Sequence, residues 1–358
     1  MPQIDMDLEE RIKAVARLGI KLKEFTHTFY DDENSEFQKI LSQALINNAW
    51  FTKENQLMVL SAIAEMLDAQ KIQQWISTSN LPVPIQSEKP KIPNPKRVGV
   101  IMAGNIPAVG FHDLLCVLIT GNILIAKCSS EDKILLQWIS KLLIEIEPAF
   151  KDKIFFVERM AEMDAVIATG SNNSARYFEY YFSKYPHIIR KNRNAVAVFS
   201  GNETEEELKI SGKDIFSYFG LGCRNVSKLY VPKGYDFGLF FRSIESYSDI
   251  MQHNKYMNNF DYHHAVYLLN DIKFLTNNFL IVKEDKAIAT PVSVLNYEFY
   301  DDIESLKKEL ENQREKIQCV VSNNIGIKDA IPFAKAQQPE LWDYADGVDT
   351  IKFLSEIA

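Results

Sequence analysis

The stretch RVGVIMAGNIPAVGFHDLLCVLITGNILIAK, from Arg97 to Lys127, decides the fold. It opens on a short apolar run, RVGVIMA, and turns at GNIP, where Gly104 and Pro107 bracket Asn105 and Ile106. Ala108 to Ile119 then carries helical periodicity, Gly121 and Asn122 break it, and ILIAK is a second apolar run. Strand, helix and strand within one short stretch make a crossover unit. Its two strands run parallel because the helix carries the chain back before the second begins.

The same alternation continues downstream. SSEDKILLQWISKLLIEIE reads as a helix with Ser129 and Ser130 as N-caps. KIFFVER and DAVIATG read as strands, SNNSARYFEYYFSKY as a helix and AVAVF as a strand. This order predicts an α/β fold, a parallel sheet with helices on both faces, whose ligands lie beyond the carboxyl ends of the strands. After Cys223 the pattern predicts strands at SKLYV, AVYLL, NFLIV, SVLNYEFY and IQCVV, and helices over 238–250 and 302–314. Upstream, residues 6–80 are helical in pattern, and LMVLSAIAEMLDAQKIQQWI is amphipathic. The five prolines of NLPVPIQSEKPKIPNPKR forbid regular helix and mark a linker or extended arm.

The 358 residues are 46% hydrophobic with a formal net charge of -8, which fits a soluble globular protein of two or three domains. The acidic balance argues against nucleic acid as partner, since phosphate binding needs clustered positive charge. The longest apolar stretch is interrupted by His112, Asp113 and the Gly121-Asn122 pair, so no membrane span is expected. The N-terminal MPQIDMDLEERIK has acids where a signal peptide would be basic and apolar. Cys116, Cys128, Cys223 and Cys319 form no CxxC pair, which suggests reduced thiols, a cytoplasmic location and no metal site.

Several residues could do chemistry. Asn105, in the turn after a strand, can donate a hydrogen bond to a developing oxyanion; turn asparagines also satisfy their own backbone. Lys127 ends a strand and can reach a ribose or phosphate, or simply snorkel to solvent. Gly170 and Ser171 open a helix and offer N–H groups to a diphosphate, though a serine there is also a plain N-cap. Cys223, in YFGLGCRNVSKLYV, follows Gly220 and Gly222 at the mouth of an apolar run, where a thiolate can attack a carbonyl; buried cysteines also pack as small apolar residues. Cys116, Cys128 and Cys319 fit that packing role. His263 and His264, read on a strand, would face opposite ways. Arg224 could lower the thiol pKa or contact a phosphate, or be a helix-surface arginine.

IMAGNIP, GNILIAKCSSE, ATGS and FGLGCRNVSKLYVPKGY occur in that order, and IPFAKAQQPELWDYADGVDTIKFL follows near the end. Together they resemble the aldehyde dehydrogenase superfamily, and more closely the acyl-CoA reductases related to LuxC, the fatty-acyl reductase subunit of bacterial luminescence systems. The resemblance implies an aldehyde-dehydrogenase-like architecture. Residues 1–92 would be a helical segment and proline-rich linker, 93–212 a Rossmann-type cofactor domain, 213–330 the catalytic domain and 331–358 a C-terminal segment. It implies Cys223 as nucleophile and Asn105 as oxyanion donor, with Gly104, Lys127, Glu131, Gly170 and Ser171 around NADPH, or alternatively NADH. It further implies an acyl-CoA substrate and a homodimer or higher homo-oligomer. Hydrolytic relatives carry a glutamate that activates water. Here no acid occurs between Tyr185 and Gly201. That favours transfer of the acyl group to or from a thiol over oxidation of aldehyde to free acid. From another class, the expectation competes with a non-catalytic subunit that keeps the fold and binds a nucleotide or partner.

Overall fold

The crossover unit at Arg97 to Lys127 forms as its pattern demands. In the computed structural model, which describes residues 6–29, 35–79, 81, 95–323 and 326–357, the chain divides into two compact units. One comprises Met1–Lys191 with Pro339–Ala358, the other Asn192–Gln338.

The first unit begins with four helices, α1 (Leu8–His27), α2 (Glu36–Asn47), α3 (Lys53–Met66) and α4 (Ala69–Thr78). A capping box starts α1, with the Asp7 side chain accepting from the Glu10 N–H at 2.8 Å and Glu10 accepting from the Asp7 N–H at 2.9 Å. Leu8, Ala14, Val15, Leu18 and Leu22 bury one face of α1 at helical spacing. The linker expected next falls, at residues 80 and 82–94, outside the described residues. Then follow β1 (Arg97–Ile101), α5 (Phe111–Ile119), β2 (Ile123–Lys127), α6 (Ile134–Ile146), β3 (Ile154–Phe156), β4 (Ala165–Thr169), α7 (Asn172–Phe182) and β5 (His187–Arg190). The sheet order is β3-β2-β1-β4-β5, all parallel, with Ile101 opposite both Lys127 and Ala168. The chain runs outward from β1 to β3 on one side and to β5 on the other, so β1 and β4 flank the switch point where such sheets open a crevice. Val98, Val100, Leu124, Ala126, Val166 and Ile167 are fully buried, as expected of a sheet covered on both faces.

The second unit holds β6 (Asn194–Val198), α8 (Glu205–Phe216), β7 (Val226–Pro232), α9 (Phe237–Ser243), α10 (Asn254–Leu269), β8 (Leu275–Thr276), β9 (Ile281–Glu284), β10 (Val294–Tyr300), α11 (Ile303–Asn312) and β11 (Ile317–Val321). Its sheet order is β11-β6-β7-β10-β9-β8, parallel except for the short β8. Alternate residues serve opposite faces. Ala195, Ala197, Phe199, Leu229 and Val231 pack with residues of α8 and α9. Val196, Val198 and Tyr230 pack with Leu306 and Leu310 of α11. The chain then returns to the first unit, which it completes with α12 (Thr350–Glu356).

Three expectations are corrected. The helix expected over 238–250 ends at Ser243 as α9, and a 3-10 helix, Glu245–Gln252, follows it. AVYLL is not a strand but the last part of α10, so His263 and His264 lie on a helix. Tyr256, Phe260 and Tyr267 are its buried residues, while Leu268 and Leu269 are exposed. Ser129 and Ser130 do not cap α6, which begins at Ile134 after Lys133 with no side-chain cap.

Candidate active site

At the carboxyl end of the first sheet, two loops are pressed together. A Cβ on Gly104 would lie 2.5 Å from the Cβ and Oγ of Ser129 and 3.2 Å from the Cβ of Glu131. Only glycine allows that approach. The absent side chain thus sets the loop carrying Asn105 against the turn that follows Lys127. Lys127 is half-buried at the end of β2, and its carbonyl accepts from the Met102 N–H at 3.0 Å. Asn105 and Glu131 are exposed. Beyond Asn105 the backbone passes through Ala108 at φ 51. Asp132, 2% exposed, fixes it there: its two carboxyl oxygens accept from the N–H groups of Ala108 at 3.1 Å and Val109 at 3.2 Å. Burial pushes the Asp132 carboxyl up to about 8, against the pull of those two hydrogen bonds.

Across the switch point, β4 runs into Gly170, whose N–H donates to the Arg190 carbonyl at 3.3 Å. Ser171 is the N-cap of α7, accepting from the Ser174 N–H at 3.1 Å, with its Oγ 3.0 Å from that of Ser174. The serine is a true cap, and the opening of α7 stands at the carboxyl end of the central strands, where helix N–H groups favour an anion. Gly104, Lys127, Glu131, Gly170 and Ser171 all belong to this one edge of the first unit's sheet. Below it, Arg190 donates to Asp113 at 2.5 Å and to the Thr350 Oγ at 3.1 Å, tying β5 to α5 and α12.

Cys223 belongs to the second unit. After α8 ends, Tyr218 and Phe219 adopt φ 51 and 59, and Gly220 follows at φ 77. Two bulky residues in the left-handed region cost roughly 1–2 kcal/mol each, so this turn is held against its own preference. Cys223 is half-buried in the next turn, which closes by donation from the Asn225 N–H to the Gly222 carbonyl at 3.0 Å. It precedes β7 and so stands at the amino end of its sheet. The Phe219 ring lies 4.3 Å from that of His253. Arg224 is in the turn itself rather than on a helix surface, and it donates to the Ala336 carbonyl at 3.4 Å. Asp214, near the end of α8, accepts from the N–H groups of Ala334 at 2.6 Å and Ala336 at 3.1 Å, and burial pushes its carboxyl up to about 6. At the opposite, carboxyl end of the sheet, a cavity of about 400 Å³ is lined by Ser200, Glu203, Lys233 and Tyr235 among others. The Glu203 carboxylate there already accepts from the Ser200 and Gly201 N–H groups.

The other thiols sit differently. Cys116 is fully buried on α5, and burial raises its thiol pKa well above the ordinary range. Burial likewise pushes Cys128 up to about 12. Cys319 is half-buried within β11. Sequence reasoning missed Asp132 and Asp214. The signal was the second acid of the Glu131-Asp132 pair before an apolar helical run and the acid Asp214 near the end of α8, which only the packed structure turns into clamps.

The profile of the acyl-CoA reductase (LuxC) family matches residues 28–231 of the chain, more than half of it. No curated protein matches it significantly. Among solved structures, the chain is similar to the NAD+ complex of an aldehyde dehydrogenase from Bacillus cereus, at 12% identity and a TM-score of 0.60, over 92% of this chain and 74% of that one. Betaine aldehyde dehydrogenase from Staphylococcus aureus with NAD+ gives 13% and 0.61 over 92% and 73%. The NAD-dependent aldehyde dehydrogenase from Sinorhizobium meliloti gives 10% and 0.62 over 92% and 72%. At these identities the likeness establishes the fold, which is aldehyde-dehydrogenase-like, while the profile match establishes kinship: the chain belongs to the acyl-CoA reductase (LuxC) family.

Proposed function

We propose that this oxidoreductase reduces an acyl-CoA to the aldehyde with NADPH or NADH, through a thioester on Cys223. Family membership supports the class of reaction. The observation that carries the assignment is the contrast among the thiols: Cys223 alone sits in a turn that follows Gly220, Gly222 and the strained stretch at Tyr218 and Phe219, while Cys116 is sealed in the core.

The Cys223 thiolate attacks the thioester carbonyl carbon. The Asn105 amide and the Cys223 backbone N–H donate to the oxygen as it gains charge. When the tetrahedral adduct collapses, the bond to the CoA sulfur breaks, CoA leaves as thiolate and takes up a proton, and the acyl group remains on Cys223. A nicotinamide cofactor, when bound, would supply the hydride that reduces this thioester. The tetrahedral oxyanion this leaves on Cys223 would collapse, breaking its carbon–sulfur bond, releasing the aldehyde and restoring the Cys223 thiolate. At the first unit's sheet edge this reading assigns the start of α7 at Gly170 and Ser171 to the diphosphate, and to the adenosine ribose Lys127 as donor with Glu131 as acceptor. The nicotinamide cofactor named in the fold relatives supports this choice. The absence of an acid between Tyr185 and Gly201 supports a thiol rather than water as the acyl partner.

The test is to mix the protein with an acyl-CoA in the absence of reductant and locate the adduct by peptide mass spectrometry. The expected result is acyl mass on Cys223 with stoichiometric CoA release, and neither in Cys223→Ala. NADPH oxidation by acyl-CoA that proceeds undiminished in Cys223→Ala would sink the reading.

A further inference from the structure

Asn225 is 1% exposed, and both ends of its side-chain amide are used. Its Oδ1 accepts from the Gly222 N–H at 2.7 Å, immediately before Cys223. Its Nδ2 donates to the carbonyls of Ser217 at 2.8 Å and Asp214 at 3.1 Å, with Ile215 farther at 3.4 Å. These carbonyls close α8, a helix end whose last acceptors lack intrahelical partners. Between the two sets of bonds run Tyr218, Phe219 and Gly220, all left-handed. A strained stretch of this kind persists only where its surroundings fix it. One buried amide therefore bridges the end of α8, the strained stretch and the nucleophile's turn.

We propose that Asn225 is a positioning residue for the Cys223 thiol, acting through the Gly222 N–H and the terminal carbonyls of α8. The proposal rests on the reading of Cys223 as nucleophile. Asn225 touches no reacting atom in this scheme. It sets where the sulfur stands when the substrate carbonyl arrives, and a displacement near 1 Å there costs about a hundredfold in rate.

The experiment compares wild type, Asn225→Ala and Cys223→Ala in the full chain. Steady-state kinetics with acyl-CoA and NADPH are measured beside the rate of iodoacetamide labelling at each cysteine, read by peptide mass spectrometry. The expected result for Asn225→Ala is a kcat lower by about a hundredfold with KM little changed, and labelling of Cys223 altered several-fold while Cys319 labels as before. Wild-type kcat and Cys223 labelling in Asn225→Ala, with Cys223→Ala inactive, overturn the proposal alone. Full turnover in Cys223→Ala overturns the nucleophile reading and this proposal with it. Should Asn225→Ala fail to fold, hydrogen exchange in the wild type decides: a Gly222 amide protected as strongly as those of β7 supports the bridge, and one that exchanges at the rate of an open loop overturns it.

Discussion

Asp132 and Asp214 each hold a loop by accepting two backbone N–H groups away from water. Burial raises both carboxyls above their ordinary 3.8, to about 8 and about 6. Above about pH 4 the unfolded chain has released these protons and the folded chain still binds them. Their contribution to stability is therefore full below the unfolded pKa and is lost as pH rises, up to about 6 for Asp214 and about 8 for Asp132. Urea denaturation across that range is expected to show a shallower decline in Asp132→Asn than in wild type, since the amide cannot titrate. At the neighbouring Asn105, substitution by Ala is expected to lower kcat by about a hundredfold with little change in KM, as for loss of an oxyanion donor; an unchanged kcat would remove Asn105 from the chemistry. Asn105 and Cys223 stand out in the sequence as candidates because an amide and a thiol in such turns are residue types that can do a chemistry. Asp132 does not, because its role depends on two N–H groups more than twenty residues away.

At the scale of elements, α7 offers a direct test. Ser171→Ala removes its cap and is expected to cost about 1 kcal/mol in denaturant unfolding of the cofactor-free protein, and an unchanged midpoint would argue that the cap is idle. The parallel strands were readable where apolar runs of five alternate with helical spacing, as in β1, β2, β4 and β6. His187–Arg190 escaped notice because β5 is four residues long and ends in a charge whose partner, Asp113, lies far away in sequence. The end of α10 misled for the opposite reason. AVYLL is a continuous apolar run, but its two leucines face solvent, and the helix is anchored by aromatic rings spaced four and seven apart. Burial of Tyr256, Phe260 and Tyr267 overrides the local preference for strand. The close approach of Gly104 to Ser129 was likewise hidden, since it is a contact between two loops and leaves no spacing in the sequence.

For the molecule as a whole, the first unit is discontinuous, and its last piece is structural. Leu341, Ile351 and Leu354 are fully buried in its core, the Trp75 indole donates to the Tyr344 hydroxyl at 2.7 Å, and His112 is hydrogen-bonded with the Leu341 carbonyl at 2.9 Å. Burying each of those aliphatic side chains contributes roughly 1.5–3 kcal/mol. Ending the chain at Gln338 is therefore expected to unfold or severely destabilise the first unit; retention of the full melting temperature in that truncation would contradict the packing described. The order of synthesis makes the same arrangement matter in time. Residues 192–338 are contiguous and can close their sheet as they leave the ribosome, whereas the earlier-made β1 to β5 must wait for a segment translated after all of them. The half of the protein that is born first is thus the half that matures last, and its exposed interim state is where a chaperone would have most to protect.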